Sequence, residues 1–377
     1  MYNIALIPGD GIGPEVIREG KRIIDFASEL NNVQINWVEF PFGAEHYLKK
    51  GELLPDSVLE EIKGMDAIYL GAVGDPQVKP GILEKEILLK IRFSLDQYIN
   101  LRPIRLLQGI ESPLRNKTFK NINFYVVREN TEDFYIGTGS SFKGKEYHSD
   151  HVIKRNLFQS NIQIDFQLDG EEEIGYQLGL LTRKGSDRII RYAFELAEKK
   201  GLSKVSTVDK ANVLSDMYGL WRRVFKDVSR DFPDISTDYY YVDAMTMLMV
   251  TNPERFQIVV TPNMFGDIIT DLGAAIQGGI GIAASANINP EGISMFEPIH
   301  GSAPDIKNQG KANPIAAILA GAMMLDSLGE TKIASTIENV TQEVLKEGKI
   351  KPIEFGGKAS TSEIGDGIIK KLKKLLN

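Results

Sequence analysis

The segment Thr261-Pro-Asn-Met-Phe-Gly-Asp-Ile-Ile-Thr-Asp-Leu-Gly-Ala-Ala275 sets two aspartates, Asp267 and Asp271, four residues apart. On a helix, at about 100° per residue, both carboxylates face one way, roughly 6 Å apart along the axis. Like charges at that spacing repel, and a hard divalent cation held by carboxylate oxygens relieves the repulsion. A solvated acidic edge explains an isolated pair of this kind more simply. Position favours the ligand: the pair follows an apolar run, 256–260, that reads as a buried strand ended by Pro262 and Gly266. Open α/β sheets place their ligands beyond the carboxyl ends of such strands.

The other candidate groups occupy similar positions. Lys210 and Asp243 come just past predicted strands at 205–208 and 238–242, and Arg128 just past one at 123–127. Arg92 and Arg102 lie in residues 88–103, which read as a helix ending near Leu101, because Pro103 disfavours helical backbone before it. On a continuous helix these two arginines stand about 15 Å apart. A cluster of guanidinium groups suits a polyanionic acid. Lys210 and Tyr135 can exchange protons once burial and neighbouring charge shift their pKa values. Each of these eight residues has a bland explanation alone; together they suggest a site.

The elements that must position them alternate. A strand at 2–8 leads through the glycine-rich turn Gly9-Asp-Gly-Ile-Gly-Pro-Glu15 into a helix ending near Leu30. This turn is not the GxGxxG of a dinucleotide fold, and no acidic residue follows at the required distance. Strands at 35–40 and 66–70, helices at 55–63, 187–200, 214–228 and 312–328, and two closing helices imply a largely parallel sheet covered on both faces. Residues 140–182 are polar and read as an extended or β-rich arm, with His148 and His151 on its surface.

Composition narrows the class. The chain has 377 residues, enough for two domains, with 42% hydrophobic and 25% charged residues. Forty-four basic against fifty-one acidic residues, without long runs of one sign, argue against nucleic-acid and anionic-membrane partners. There is no cysteine, so disulfides, thiolate metal sites and cysteine nucleophiles are excluded. No leader pattern and no long apolar stretch is evident, and the expectation is a soluble, cytoplasmic protein.

At this point the chain resembles the metal-dependent β-decarboxylating dehydrogenases, the family acting on 3-isopropylmalate, isocitrate, homoisocitrate and tartrate or D-malate. The carriers are Ile7-Pro-Gly-Asp-Gly-Ile-Gly-Pro-Glu15, Asn100-Leu-Arg-Pro103, Val127-Arg-Glu-Asn-Thr-Glu-Asp-Phe-Tyr135, Val208-Asp-Lys-Ala-Asn212, Tyr241-Val-Asp243, Phe265-Gly-Asp-Ile-Ile-Thr-Asp271 and Phe296-Glu-Pro-Ile-His-Gly-Ser-Ala-Pro-Asp305. The resemblance implies an isocitrate/isopropylmalate dehydrogenase-like two-domain α/β fold, with parallel and mixed sheets flanked by helices, and not a true Rossmann fold. Residues 1–98 with 254–377 would form the cofactor domain, and 99–253 the substrate and dimerisation domain with an arm at 138–182.

The same resemblance implies roles. Arg92, Arg102 and Arg128 would bind the malate-type carboxylates, while Asp243, Asp267 and Asp271 would hold one Mg²⁺ or Mn²⁺ per site, with K⁺ as a further expected ion. Lys210 would accept the hydroxyl proton of a 2-hydroxy acid and Tyr135 would protonate the enolate after CO₂ leaves. Lys210 and Asp243 would serve the partner's site in a homodimer, Asp243 touching substrate as well as metal. Glu297, His300, Gly301, Ser302, Ala303, Asp305 and Asn313 would carry the cofactor. Asp305 can accept hydrogen bonds from ribose hydroxyls and repels a 2′-phosphate, so NAD is expected. Where isocitrate enzymes place Ser and Asn, six and four residues before the first arginine, this chain has Glu86 and Leu88. A buried pair, Leu88 and Leu89, offers an apolar wall without a donor and favours an isopropyl group over a carboxylate. The expected reaction is NAD-dependent oxidative decarboxylation of 3-isopropylmalate to 4-methyl-2-oxopentanoate, with tartrate or D-malate as the alternative substrate. A non-catalytic subunit of the family would usually lack some of Tyr135, Lys210 and the three aspartates, all present here.

Overall fold

The computed structural model describes residues 1–374. In chain order the elements are β1 (Tyr2–Gly9), α1 (Gly13–Glu29), β2 (Ile35–Glu39), α2 (Ala44–Lys50), α3 (Asp56–Lys63), β3 (Ala67–Ala72), α4 (Lys90–Ser94), β4 (Ile99–Arg105), β5 (Asn123–Glu129), β6 (Gly139–Arg155) and β7 (Phe158–Gln177). Then come α5 (Arg183–Lys199), β8 (Lys204–Asp209), α6 (Ser215–Ser229), β9 (Ser236–Tyr241), α7 (Val242–Thr251), β10 (Ile258–Thr261), α8 (Asn263–Ile276), β11 (Ala284–Ile288), β12 (Ser294–Pro298), α9 (Ile315–Ser327), α10 (Thr331–Glu347) and α11 (Thr361–Lys373). A π-helical stretch, Glu84–Leu89, runs directly into α4. Among the described residues no helix is long and apolar enough to cross a membrane.

The chain divides into two compact units: 1–125, 249–255 and 270–377 form the first, and 126–248 with 256–269 the second. The sequence expectation cut the chain at 98 and 254. The structure instead keeps β4 in the first unit, because β4 pairs antiparallel with β11 there, and keeps β10 in the second, where it pairs with β8.

In the first unit the strand order is β2-β1-β3-β12-β11-β4, with β1, β2, β3 and β12 parallel and β11 antiparallel to both neighbours. The buried run Ile4, Ala5, Leu6 and Ile7 of β1 and the wholly buried β3 are what a strand covered on both faces requires. Helix α9, rich in Ala and buried almost throughout, packs on this sheet, and Tyr69 of β3 donates to the Ala317 carbonyl at 2.6 Å.

In the second unit β10, β8 and β9 are parallel, with β5 beside β10. Helices α5 and α6 bury Ile189, Phe194, Trp221 and Phe225. The arm is a single long β-hairpin of β6 and β7. Its residues alternate: Tyr147, His151, Ile162, Ile164, Phe166 and Tyr176 are half-buried on one face, and their neighbours are exposed on the other.

Two sequence expectations are corrected here. The helix bearing Arg92 ends at Ser94, and Arg102 lies on a strand, so the two arginines are not ten residues apart on one helix. The stop is a Schellman turn: Asp96 takes a left-handed φ of 46°, the Gln97 N–H donates to the Arg92 carbonyl, and the Asp96 N–H to the Phe93 carbonyl. An aspartate in a place usually held by glycine hides this stop from a sequence reading. Second, β9 stops at Tyr241 and Asp243 lies in the first turn of α7. The apolar residues of α7 fall on all its faces, so no helical period marks it.

Candidate active site

In the second unit the site is built around Arg128. This residue ends β5 fully buried, donating from Nε and Nη2 to Asn263 Oδ1 at 3.0 and 2.7 Å and from Nη1 to Asp267 Oδ1 at 2.5 Å. Gly266 makes room for it: a Cβ there would stand 2.4 Å from Arg128 Cγ. Tyr135 donates its hydroxyl to Asp267 Oδ2 at 2.8 Å, and the Arg128 guanidinium lies 5.2 Å from its ring centroid. Arg128, Tyr135 and Asp267 are therefore one linked group, with the Asp267 side chain 43% exposed at its outer edge.

Beneath this group runs a buried acidic seam. Glu129 accepts from the Thr131 N–H and hydroxyl and from the Glu132 N–H, each at 2.8 Å. Glu132 accepts from the Thr182 N–H at 2.7 Å and its hydroxyl at 2.6 Å, and Thr182 in turn caps α5. Burial first, and then the charge of Glu129, push Glu132 up to about 7, against the pull of Thr182 and Arg188. Burial also raises Glu129. A raised carboxyl means the folded state keeps a proton that the unfolded chain has released. Its stabilising share is present in full below the ordinary value of 4.5 and is lost as pH rises through about 7. Glu132→Gln is expected to flatten that slope, reducing the fall in unfolding free energy between pH 5 and 8 by about 2–3 kcal/mol. Urea titrations at the two pH values measure it, and parallel curves for both proteins would refute it.

Lys210 and Asp243 form a second group. Lys210 follows the end of β8 and donates to Asp243 Oδ1. The hydrogen bond from Lys210 holds the Asp243 carboxyl below its ordinary range. Among the described residues, no three His, Asp or Glu side chains gather as they would around one ion. Asp267 and Asp271 do share α8, one turn apart, with Asp271 exposed.

The first unit carries the remaining candidates. Arg92, buried on α4, lies 3.6 Å from Glu297 Oε1 of β12. Glu297 also accepts from Asn287 Nδ2 at 2.7 Å, and Asn287 Oδ1 accepts from Asn100 at 3.0 Å, so the chain of polar contacts crosses β12, β11 and β4. Arg102 is buried on β4 and donates to the Thr270 hydroxyl. Leu88 and Leu89 are half-buried, not buried as expected, because the π-helical stretch bearing them sits at the edge of the core that Leu88 packs against.

The loop from His300 to Asp305 is held from below. The Ile12 N–H donates to the Ser302 carbonyl at 2.8 Å, and a Cβ on Gly11, whose φ is 59°, would meet that same oxygen. Glu15 accepts from the N–H groups of Asn308 and Gly310. The glycine-rich turn therefore serves as a seat for this loop. His300 is buried, burial keeps its pKa low, and its Nε2 has no hydrogen-bond partner. Gly301, Ala303 and Asp305 are exposed. Asn313 is engaged within the protein, donating to Glu354 at 2.8 Å and accepting from the Ile315 N–H at 3.2 Å.

Asn263, Thr270, Glu132 and Glu354 are among the site-building residues that escaped the sequence reading. Only Asn263 carried a signal, lying one residue after Pro262 at a strand end.

Comparison with known proteins follows this geometry. The family described as isocitrate/isopropylmalate dehydrogenase matches residues 3–368. The chain is similar to the 3-isopropylmalate dehydrogenase of Thermobifida fusca, 44% identical over 371 residues, 98% of this chain and 97% of that protein. It is likewise similar to the 3-isopropylmalate dehydrogenase of Corynebacterium glutamicum, 44% identical over 374 residues, 98% and 99% of the two chains. Among solved structures, isocitrate dehydrogenase from Methylococcus capsulatus aligns with a TM-score of 0.82 at 35% identity, over 99% of this chain and all of that one.

Proposed function

The chain belongs to the isocitrate/isopropylmalate dehydrogenase family, and from that premise we propose that it oxidises and decarboxylates 3-isopropylmalate with NAD. The product, 4-methyl-2-oxopentanoate, is the keto acid of leucine biosynthesis. The observation that carries the substrate is the pair Leu88 and Leu89: half-exposed, apolar and without a hydrogen-bond donor. A carboxylate placed against them loses its hydration without compensation, whereas an isopropyl group loses nothing.

We assign carboxylate binding to Arg92, Arg102 and Arg128. Lys210 takes the proton of the substrate hydroxyl, and Tyr135 returns a proton to the carbon that loses CO₂. Asp267 and Asp271, with Asp243 of the partner subunit, would hold Mg²⁺ or Mn²⁺; these are hard oxygen donors, and the Asp267 carboxylate keeps lone pairs beyond those used by Arg128 and Tyr135. When bound, the ion offers Lewis-acid stabilisation of the negative charge that develops on the substrate oxygen. Bound NAD would supply the hydride acceptor. The unpartnered Nε2 of His300 fits an N–H donor such as the adenine amino group, and exposed Asp305 fits ribose hydroxyls and repels a 2′-phosphate.

A homodimer is part of this reading. Aromatic and aliphatic side chains line one face of the hairpin, and a two-stranded hairpin is marginal by itself. Met247 of α7 and Ile268 of α8 are large apolar side chains that are 59% and 57% exposed.

NADH formation with Mg²⁺ present, comparing 3-isopropylmalate, D-malate, tartrate and isocitrate with NAD and NADP, tests the proposal. We expect 3-isopropylmalate with NAD to show the highest kcat/KM, at least about tenfold above the rest. Preference for another acid would dismiss the leucine wall, and preference for NADP would dismiss the role of Asp305.

A further inference from the structure

Asp133 stands two residues before Tyr135 and is not among the groups assigned to substrate, metal or cofactor. Its backbone is unusual: φ is 64° and ψ −142°, in a region where a side chain is disfavoured. The side chain is completely buried. Oδ1 accepts the Tyr218 hydroxyl at 2.9 Å, and Oδ2 accepts the Met264 N–H at 2.8 Å. The backbone is clamped too, since the N–H of Asp133 donates to the Leu180 carbonyl at 2.8 Å and the Leu180 N–H returns a bond at 3.3 Å.

Met264 is the second residue of α8, so this carboxylate satisfies one of the free N–H groups at that helix start. One turn along the same helix is Asp267, whose Oδ2 accepts the Tyr135 hydroxyl. The contacts close a ring: Asp133 to Met264, along α8 to Asp267, across to Tyr135, and back through Phe134 to Asp133. Every member is either a helix turn, a peptide unit or a hydrogen bond of 2.8 Å. Such a ring leaves the tyrosine hydroxyl little freedom relative to Asp267. Burial holds the Asp133 carboxyl above its ordinary range, against the pull of the Met264 N–H and the Tyr218 hydroxyl.

We propose that Asp133 is a positioning residue: it locks the start of α8 to the turn carrying Tyr135 and so sets where the tyrosine proton is delivered. The proposal rests on the reading of Tyr135 as proton donor. Asp133 touches no reacting atom, and its effect must pass through Tyr135.

The test uses the full-length dimer with Mg²⁺ and NAD, comparing Asp133→Ala, Asp133→Asn, Tyr135→Phe and the double variant Asp133→Ala/Tyr135→Phe. Asp133→Ala is expected to lower kcat about 10–100-fold with KM for the hydroxy acid changed less than about threefold, the signature of misplacement and not of lost binding. Asparagine keeps an oxygen for the Met264 N–H and should restore kcat to within about threefold of the parent. In the Tyr135→Phe background, Asp133→Ala should cost almost nothing more, because the group it positions is gone. If the alanine variant fails to fold, Tyr218→Phe, alone and with Tyr135→Phe, loosens the same carboxylate from its other oxygen and reads the same effect. Loss repeated in full on top of Tyr135→Phe, or loss that follows melting temperature alone, would overturn the positioning role while leaving Tyr135 as donor. A Tyr135→Phe enzyme with parental kcat would overturn the donor assignment and this proposal with it.

Discussion

Lys210→Met is expected to lower kcat by about 10²–10⁴-fold, the range for removing a general base, while the protein stays folded. Methionine keeps the length and apolar stem of the lysine and removes only the terminal amine. The Lys210 and Asp243 side chains are 27% and 66% exposed, so the pair is solvent-screened and breaking it should leave stability nearly unchanged. The loss therefore reports chemistry and not collapse. A second arm asks whose chemistry it is. Mixing the Lys210→Met and Tyr135→Phe proteins, each nearly inactive, forms hybrid dimers on subunit exchange. If each Lys210 serves the partner's site, one of the two sites in every hybrid receives an intact lysine and an intact tyrosine. A random mixture should then recover about a quarter of parental activity. If Lys210 serves its own chain, every site in the mixture carries a lesion and nothing is recovered. Steady-state NADH production, read before and after mixing, separates these outcomes, and absence of recovery would end the shared-site reading.

Arg128→Met should lower kcat/KM by about 10³-fold or more and should also destabilise the protein. The guanidinium is buried and satisfies both Asn263 Oδ1 and Asp267 Oδ1. Removing it strands a buried acceptor and a partly buried carboxylate, at a cost of about 2–3 kcal/mol, toward the low end for a broken buried pair because Asp267 is partly solvated. It also deletes the planar fork that would take a substrate carboxylate through two parallel bonds. Arg128→Lys keeps the charge and loses the fork, so it should regain stability more than activity. Urea unfolding and kcat/KM, measured on all three proteins, give the two axes. A lysine variant with parental kcat/KM would show that charge alone suffices.

Much of this arrangement was legible from the chain. Apolar runs marked the strand ends where Arg128, Lys210 and Asp267 were expected, with Pro262 and Gly266 punctuating the last, and the hairpin arm announced itself as a long polar excursion. What escaped notice was of a different physical kind. The bond from Met264 to Asp133 joins residues 131 apart, and the Glu129–Glu132 seam is acidic in composition yet buried in fact. No local period encodes either. Asp96 ends a helix in a conformation that glycine usually signals, and α7 lacks a polar face by which to be recognised. The glycine-rich turn at 9–15 read as a strand-to-helix turn, and nothing in its spacing told that Gly11 and Glu15 support the neighbouring loop.

The hairpin of β6 and β7 carries a last consequence, for mass action. Tyr147 stacks on Phe142 with centroids 4.2 Å apart, and Phe166 and Tyr176 continue the same aromatic row. Two strands are marginal alone, and in the homodimer proposed above a second copy would cover this row. The folding free energy of this part of the molecule would then contain a logarithm of protein concentration. The same sequence would not have the same stability at the dilution of an enzyme assay and at the concentration of a cell.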